Sequence, residues 1–354
     1  MKADWNIKAE PESMQMTLAD ENPREFVRAF LERFDSRQIL LISQPAVLEA
    51  WGTFLEEELR RKDISFQVHR LPDGEEAKSL KTIERLWRFF AKTKVSRKTP
   101  VVALGGGSVT DAAGFAASTY HRGLPLVLVP TTLMGQIDSA IGGKTAINFR
   151  KTKNNIGSFY FPEWVYANPR FLATLPPRQW RSGMAEMIKA AVIQDAELFG
   201  QLETEDPDLL MQDSMRLFPL MERAIAVKIA LVGQDPWDQL GVRAKLNFGH
   251  TVGHAIESAS EFRDYTHGEA VSLGMWWESQ MSVRLGECRA SEAERLEKLL
   301  LRYQLPAGKE IPDQWRRYFL RDKKRTGRDL SFVFLSHIGQ TVVKSVSLRC
   351  IQSF

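Results

Sequence analysis

Short, unbroken apolar runs alternate with helix-period stretches through the first half of the chain. Gln38–Gln44 (QILLISQ) predicts a buried strand, and the apolar spacing from Ala46 to Arg61 predicts a helix after it. Ser65–Leu71 repeats the strand signal and Lys81–Thr93 the helix. Thr99–Ser108 is a third strand that runs into glycines, with a helical pattern over Thr110–Ser118, and Leu124–Thr132 is a fourth strand. Strands apolar on both faces and separated by helices imply a parallel sheet covered on both sides. Such sheets bind ligands at the carboxyl ends of their strands. After Thr174-Leu-Pro-Pro-Arg178 the period changes. Amphipathic helices are expected over 182–193, 214–232, 247–260, 267–285 and 292–303, with a last β-like run, DLSFVFLSHIG, near the C-terminus. The prolines mark a boundary, because proline disfavours helix in the residue before it. The pattern therefore predicts an α/β, Rossmann-like parallel-sheet domain over 1–178 and a mostly α-helical domain over 179–354.

Composition alters this picture little. A net charge of +4 in a chain with 44 acidic residues is too mixed to argue for nucleic acid, and suits an anionic small molecule equally well. Cys288 and Cys350 have no CxxC spacing, so neither a disulfide framework nor a cysteine–zinc site is expected. MKADWNIKAE has no apolar h-region, and no apolar run approaches the ~18 residues of a membrane span. A soluble, cytoplasmic protein is expected.

The candidate chemistry lies in a few stretches. Gly105-Gly-Gly-Ser-Val-Thr-Asp111 joins a strand to a helix, where glycines let a phosphate approach backbone N–H groups. Thr110 stands in the third glycine's place of GxGxxG, so the standard fingerprint is absent, and Asp111 reads most simply as a helix-dipole partner. Gly142-Gly-Lys-Thr145 resembles the end of a Walker A loop but lacks the earlier glycine, so a P-loop is rejected. Lys144, Lys153 and Asn154 remain as an anion-binding surface, although Arg150, Lys151 and Lys153 together read most simply as a solvated basic loop. Glu186 and Lys189 are spaced i,i+3 in an apolar helix, which points to burial beside a metal or substrate.

Leu246–Glu269 holds His250, His254 and His267, three of the six histidines, with Glu257, Glu261 and Glu269 alongside. Imidazole is the commonest metal ligand and the natural proton-transfer group near neutral pH. His250 and His254 lie one helical turn apart, as two zinc ligands would. Thr251 stands where a zincin has glutamate, so metalloprotease chemistry is not expected.

In order along the chain, GExxKS (Gly74–Ser79), GGGSVTDAAGF, YHRG, PTTLMGQIDSAIGGKTAIN, KN, TLPPR, GMAEMIK, NFGHTVGHAIE, HGEAV and DKK resemble the 3-dehydroquinate synthases. The resemblance spans about residues 71 to 340. It implies an NAD-dependent, divalent-metal (zinc or cobalt) enzyme of the shikimate pathway. Such an enzyme converts 3-deoxy-D-arabino-heptulosonate 7-phosphate into 3-dehydroquinate and phosphate. It also implies a homodimer and an anionic sugar-phosphate substrate, with neither nucleic acid nor membrane as partner.

Carried over by position, the resemblance gives Glu186, His250 and His267 as metal ligands and moves His254 to the substrate. Asp138, Lys144, Asn154, Lys189, Lys228, Arg243 and Asn247 match substrate-site positions, as does one lysine of Lys323/Lys324. Arg122 matches an arginine supplied across the dimer interface. Glu75, Lys78, Gly106, Gly107, Ser108, Asp111, Thr131, Thr132, Lys144, Lys153 and Thr174 match the NAD site.

Three positions depart from the family pattern. Gln44-Pro45-Ala46 replaces Asp-x-Asn, which removes two adenosine-side contacts. Asn168 stands where aspartate is usual. Asp-Pro-Trp-Asp (Asp235–Asp238) replaces an acidic segment and adds one residue before Arg243. With YHRG and GQID, that segment also resembles the sedoheptulose 7-phosphate cyclases, but this chain keeps Asn247 and His254, which those relatives lack. A glycerol-dehydrogenase-like oxidoreductase would leave Lys144, Lys189 and Arg243 unpaired against a neutral polyol. Intact Glu186, His250 and His267 argue against a catalytically dead scaffold.

Overall fold

A computed structural model describes every residue except 10–11, 151, 261–262, 309–314, 316–324, 327–328, 348–350 and 352–354. Lys151, Glu261, Lys323, Lys324 and Cys350 lie outside the described residues. The chain divides into two compact units, Met1–Leu175 and Pro176–Phe354.

The first unit is built on a seven-stranded sheet. Its strands are β1 (Lys2–Ala9), β2 (Glu12–Ala19), β3 (Gln38–Ser43), β4 (Ser65–Arg70), β5 (Val101–Gly105), β6 (Leu126–Pro130) and β9 (Trp164–Ala167), while β7 (Lys144–Phe149) and β8 (Thr152–Phe159) form a separate hairpin. The order is β1-β2-β9-β6-β5-β3-β4, antiparallel only between β1 and β2. The helices are α1 (Glu25–Arg33), α2 (Pro45–Val47), α3 (Thr53–Arg61), α4 (Leu80–Lys92) and α5 (Gly107–Thr119). A π-helical turn, Leu48–Gly52, joins α2 to α3, so the expected helix after β3 is continuous but wound unevenly.

Strands β5 and β6 are buried at every residue, as a sheet covered on both faces requires. On one side Phe26 and Phe30 of α1 join Trp164, Tyr166 and the inward residues of β3, β5 and β6 in a single apolar cluster. The Phe26 and Trp164 rings stack at 5.5 Å. Burying each such side chain stabilises the unit by roughly 1.5–3 kcal/mol. From β3 the chain steps outward to β4 and then returns past β3 to β5. The carboxyl ends of β3 and β5 thus flank the point where strand order reverses, the usual crevice for a nucleotide.

The second unit is mainly helical: α6 (Pro177–Gln194), α7 (Ala196–Thr204), α8 (Pro207–Gln212), α9 (Ser214–Gln234), α10 (His250–Ala259), α11 (His267–Arg284) and α12 (Ala290–Arg302). A small antiparallel sheet, β10 (Arg325–Thr326), β11 (Asp329–His337) and β12 (Gln340–Ser347), completes it. The β-like run near the C-terminus is β11. The helix expected from 247 begins at His250, because Val242–Asn247 forms a 3-10 turn and Gly249 adopts φ +78°. No helix among the described residues is long and apolar enough to cross a membrane.

Candidate active site

Three helices of the second unit bring the metal candidates together. Two side-chain-free approaches set their spacing. A Cβ on Gly268 would lie 2.1 Å from the Ser182 carbonyl oxygen, and one on Gly274 would lie 1.9 Å from that of Gly249. The bare glycines therefore let α11 press against α6 on one side and α10 on the other. The Gly268 N–H donates to Ser182 Oγ at 2.9 Å, and the Gly249 N–H donates to the fully buried Glu278 carboxylate at 2.8 Å.

The start of α11 is fixed by a capping box. The Glu269 N–H donates to Thr266 Oγ1 at 3.3 Å, and the Thr266 N–H donates to Glu269 Oε2 at 2.8 Å. Arg178 then holds both Glu269 oxygens, at 2.8 and 2.7 Å, and donates to the Asp264 carbonyl. Burial alone would raise the Glu269 carboxyl, but Arg178 and the Thr266 N–H hold it below the ordinary range. The T-x-x-E spacing of Thr266–Glu269 announces this cap in the sequence.

Glu186, on α6, is 2% exposed. His250 Nε2 approaches its Oε1 at 3.6 Å and His267 Nε2 approaches the same atom at 3.3 Å. On the far side of each ring, His250 Nδ1 lies 3.2 Å from the Phe248 carbonyl and His267 Nδ1 lies 3.3 Å from Glu257 Oε2. Each imidazole thus has an oxygen acceptor behind it and its other nitrogen aimed at one carboxylate. This is the outer-shell arrangement usual for metal-binding histidines. Lys189 pairs with Glu186 from the same helix.

Burial raises the Glu186 carboxyl, but Lys189 and His267 outweigh it and hold it well below the carboxylate range. Burial lowers His267, yet Glu257 and Glu186 push it up to about 10. Both Glu186 oxygens are buried, and Lys189, His250 and His267 meet them as ion-pair contacts. One carboxylate and two imidazoles, with ligand atoms within 4.8 Å of one another, fit a divalent ion that keeps open positions for substrate.

His254 is exposed, with its ring 5.3 Å from that of His250 and 5.9 Å from that of His267. A second grouping of possible ligands, His254, Glu257 and His267, overlaps the first. Lys228 on α9 and Arg243 in the 3-10 turn are both buried, and Arg243 Nη1 donates to the Pro236 carbonyl at 2.9 Å. Asn247 ends that turn.

In the first unit the nucleotide candidates cluster around Lys78. Its ammonium meets Asp111 Oδ2 at 2.5 Å and also bonds Asn154 Oδ1. Asp111 is therefore an ion-pair partner inside α5, not the dipole partner expected at the start of that helix. Burial raises its carboxyl against the pull of Lys78. Glu75 accepts from Asn148 Nδ2 at 2.7 Å and meets Lys153 at 3.8 Å, so Lys153 is partnered instead of merely solvated.

Gly106 caps α5 without a side-chain hydrogen bond, which leaves the first N–H groups of Gly107 and Ser108 suited to a phosphate. Thr131 donates its N–H to the Gly105 carbonyl, and Thr132 Oγ1 accepts from Gly135. Asp138 lies on a π-helical turn, Gly135–Ser139. Lys144 is exposed and opens strand β7, whereas a P-loop lysine opens a helix. Thr174 Oγ1 accepts from Trp51 Nε1 at 3.0 Å. Both His121 and the exposed Arg122 hold positive φ, at 54° and 66°. Such strain in non-glycine residues gathers at functional sites.

Residues 68–182 match the model of the 3-dehydroquinate synthase N-terminal region, and 183–325 match that of the C-terminal region. The chain belongs to the 3-dehydroquinate synthase family. A 3-dehydroquinate synthase of Pelotomaculum thermopropionicum is 43% identical over 312 residues, 87% of this chain and 84% of that one. Another, of Wolinella succinogenes, is 38% identical over 323 residues, 89% and 91% of the two chains. Among solved structures, 2-epi-5-epi-valiolone synthase of Streptomyces hygroscopicus subsp. jinggangensis 5008, with NAD+ and Zn2+ bound, aligns with TM-score 0.88 at 30% identity. That alignment covers 99% of this chain and 98% of the other. A 2-deoxy-scyllo-inosose synthase complexed with carbaglucose-6-phosphate, NAD+ and Co2+ aligns at 0.87 and 27% identity, with 99% and 98% covered. The glycerol dehydrogenase of Schizosaccharomyces pombe, at 16% identity and TM-score 0.63 over 95% of this chain and 87% of its own, shares the fold alone.

The departures from the 3-dehydroquinate synthase pattern have local explanations. Gln44 is buried and spends its amide on the Pro72 carbonyl, at 2.9 Å. Asn168 is fully buried; its Oδ1 accepts from the Arg170 N–H, and its Nδ2 donates to the Glu21 carbonyl. Asparagine caps as well as aspartate and adds a donor. Asp235 receives backbone N–H groups from Gln239, Leu240, Val242 and Arg243, so the altered segment is a loop folded around one carboxylate. Burial raises that carboxyl, but the backbone donors, led by Leu240 and Gln239, prevail and hold it low.

Proposed function

We propose that this chain is an NAD- and divalent-metal-dependent carbon–oxygen lyase that converts 3-deoxy-D-arabino-heptulosonate 7-phosphate into 3-dehydroquinate and phosphate. The observation that carries the reading is the convergence of His250 and His267 on the buried Glu186. Bound NAD supplies a reversible hydride acceptor, and the divalent ion supplies Lewis acidity toward substrate oxygens. The overall conversion is redox-neutral: oxidation of a substrate hydroxyl would be reversed within the turnover. Loss of the proton beside the transient ketone supplies the new C=C pair as phosphate departs with the C–O electrons. After re-reduction and ring opening, an intramolecular aldol closes the carbocycle.

The chain's own residues divide the work. Glu186, His250 and His267 hold the ion. His254, outside that triad and exposed, moves a proton at the substrate. Lys144, Lys189, Lys228 and Arg243 set cationic charge against the carboxylate and phosphate, with Asp138, Asn154 and Asn247 orienting hydroxyls. Glu75, Lys78, Asp111, Lys153, Thr131, Thr132 and Thr174 would hold the nucleotide, with Gly106, Gly107 and Ser108 offering backbone N–H groups to its phosphates. In a homodimer, Arg122 on its strained turn serves the neighbouring copy's substrate.

A second reading, a sedoheptulose 7-phosphate cyclase, draws support from the likeness to 2-epi-5-epi-valiolone synthase. Retention of Asn247 and His254 favours the first. Presented with each sugar phosphate in turn, together with NAD and zinc, the enzyme is expected to release phosphate from the heptulosonate alone. Turnover of sedoheptulose 7-phosphate with none of the heptulosonate would establish the second reading instead.

A further inference from the structure

We propose that Glu257 is a positioning residue of the metal centre, accepting the Nδ1–H of His267 so that Nε2 is held toward Glu186. The inference rests on the metal reading above and assigns a role to a side chain that this reading leaves unused. Glu257 is 3% exposed and lies on α10, two turns after His250 and one after His254. A helix presents residues at those spacings on one face, so a single face of α10 delivers one ligand, one substrate residue and one support.

The geometry separates support from ligation. Glu257, His254 and His267 could by themselves hold an ion. That alternative would take two of its three ligands from one helix and would use the exposed His254. The Glu186 triad draws on three helices and on a carboxylate whose oxygens are both buried. A neutral imidazole has one lone pair for a metal and one N–H to give away. With an ion held at Nε2, which lies 3.3 Å from Glu186 Oε1, a neutral His267 would keep its N–H on Nδ1, 3.3 Å from Glu257 Oε2.

His250 has the same device with a weaker acceptor, the Phe248 carbonyl at 3.2 Å. A carboxylate behind an imidazole raises its basicity as a ligand more than a neutral carbonyl does, and loss of such a partner typically costs about 10–100-fold in metal affinity. The two histidines are therefore supported unequally, with His267 the stronger donor.

The test uses the full chain, zinc with a competing chelator, and the visible spectrum of the cobalt form. Glu257→Gln keeps an oxygen to accept the Nδ1–H in the same shape, whereas Glu257→Ala removes it. The expected result is a ~10–100-fold weaker zinc affinity for Glu257→Ala, a smaller loss for Glu257→Gln, and a wild-type cobalt spectrum for Glu257→Gln. Equal losses in the two variants with an altered cobalt spectrum would make Glu257 a ligand and overturn the proposal. Wild-type affinity in Glu257→Ala would overturn it as well. A wild-type chain that binds neither ion would instead overturn the metal reading beneath it.

Discussion

His250→Ala is expected to abolish tight zinc binding and, with it, turnover, whereas His254→Ala keeps the metal and loses activity. The two rings are 5.3 Å apart on one helix, and spacing along the sequence gives no reason to treat them differently. Their surroundings do. His250 is partly buried, with Nδ1 on a backbone carbonyl and Nε2 3.6 Å from Glu186. Removing it leaves two ligands, the buried Glu186 carboxylate and His267. Zinc affinity should fall by more than the ~100-fold that marks the upper end for losing an outer-shell partner.

His254 is exposed and lies outside that triad. A positioned acid–base group typically contributes about 10²–10⁴-fold, so His254→Ala should lower kcat by that factor with zinc stoichiometry unchanged. Metal analysis of the purified variants, beside steady-state kinetics, checks both statements. Equal metal loss in the two variants would show that the ligand set is drawn wrongly.

Gly274→Ala is expected to cost the second unit several kcal/mol and to empty the metal site without touching a ligand. The added methyl would sit 1.9 Å from the Gly249 carbonyl oxygen and 3.0 Å from the Gly253 N, both backbone atoms that cannot turn aside. Overpacking usually costs ~1–3 kcal/mol and occasionally more; a backbone clash this close belongs at the high end. For a domain of 150–250 residues each kcal/mol lowers Tm by about 2–4 °C, so a drop on the order of 10 °C is expected. Because α10 and α11 carry His250 and His267, any separation of the two helices also weakens zinc binding. Gly200→Ala is the control. Its methyl on α7 meets nothing within 4 Å among the described residues, so it should be neutral or stabilise slightly through helix propensity. A Gly274→Ala protein as stable and as zinc-loaded as Gly200→Ala would refute this account of the helix contact.

Much of this was legible in the residues. Buried strands announce themselves as unbroken apolar runs, which is why β3, β5 and β6 lie where the pattern puts them. Strands β1, β2 and β9 carried no comparable signal. Met14, Met16 and Leu18 alternate with polar neighbours in β2, and Trp164–Ala167 is only four residues long, so their place in the sheet is set by tertiary pairing. In the site, histidine spacing alone favoured His250 with His254. The resemblance redistributed the ligands to Glu186, His250 and His267, the set proposed above; Nε2 of both histidines lies within 3.6 Å of Glu186 Oε1. Glu257 was visible as an acidic neighbour, but its role depends on which side of the His267 ring it faces. Glu278 gave no sign at all, because the backbone N–H it accepts from is 29 residues away.

The central claim is a redox-neutral phosphate elimination that needs both a metal and NAD. Purified protein is incubated with 3-deoxy-D-arabino-heptulosonate 7-phosphate, zinc and NAD far below the substrate concentration, and phosphate, 3-dehydroquinate and NADH are followed together. The account predicts phosphate and 3-dehydroquinate in equal amounts over many turnovers, no accumulating NADH, and loss of both products on adding a chelator. Phosphate release that ignores the chelator, or NADH that accumulates in step with substrate consumed, would contradict it.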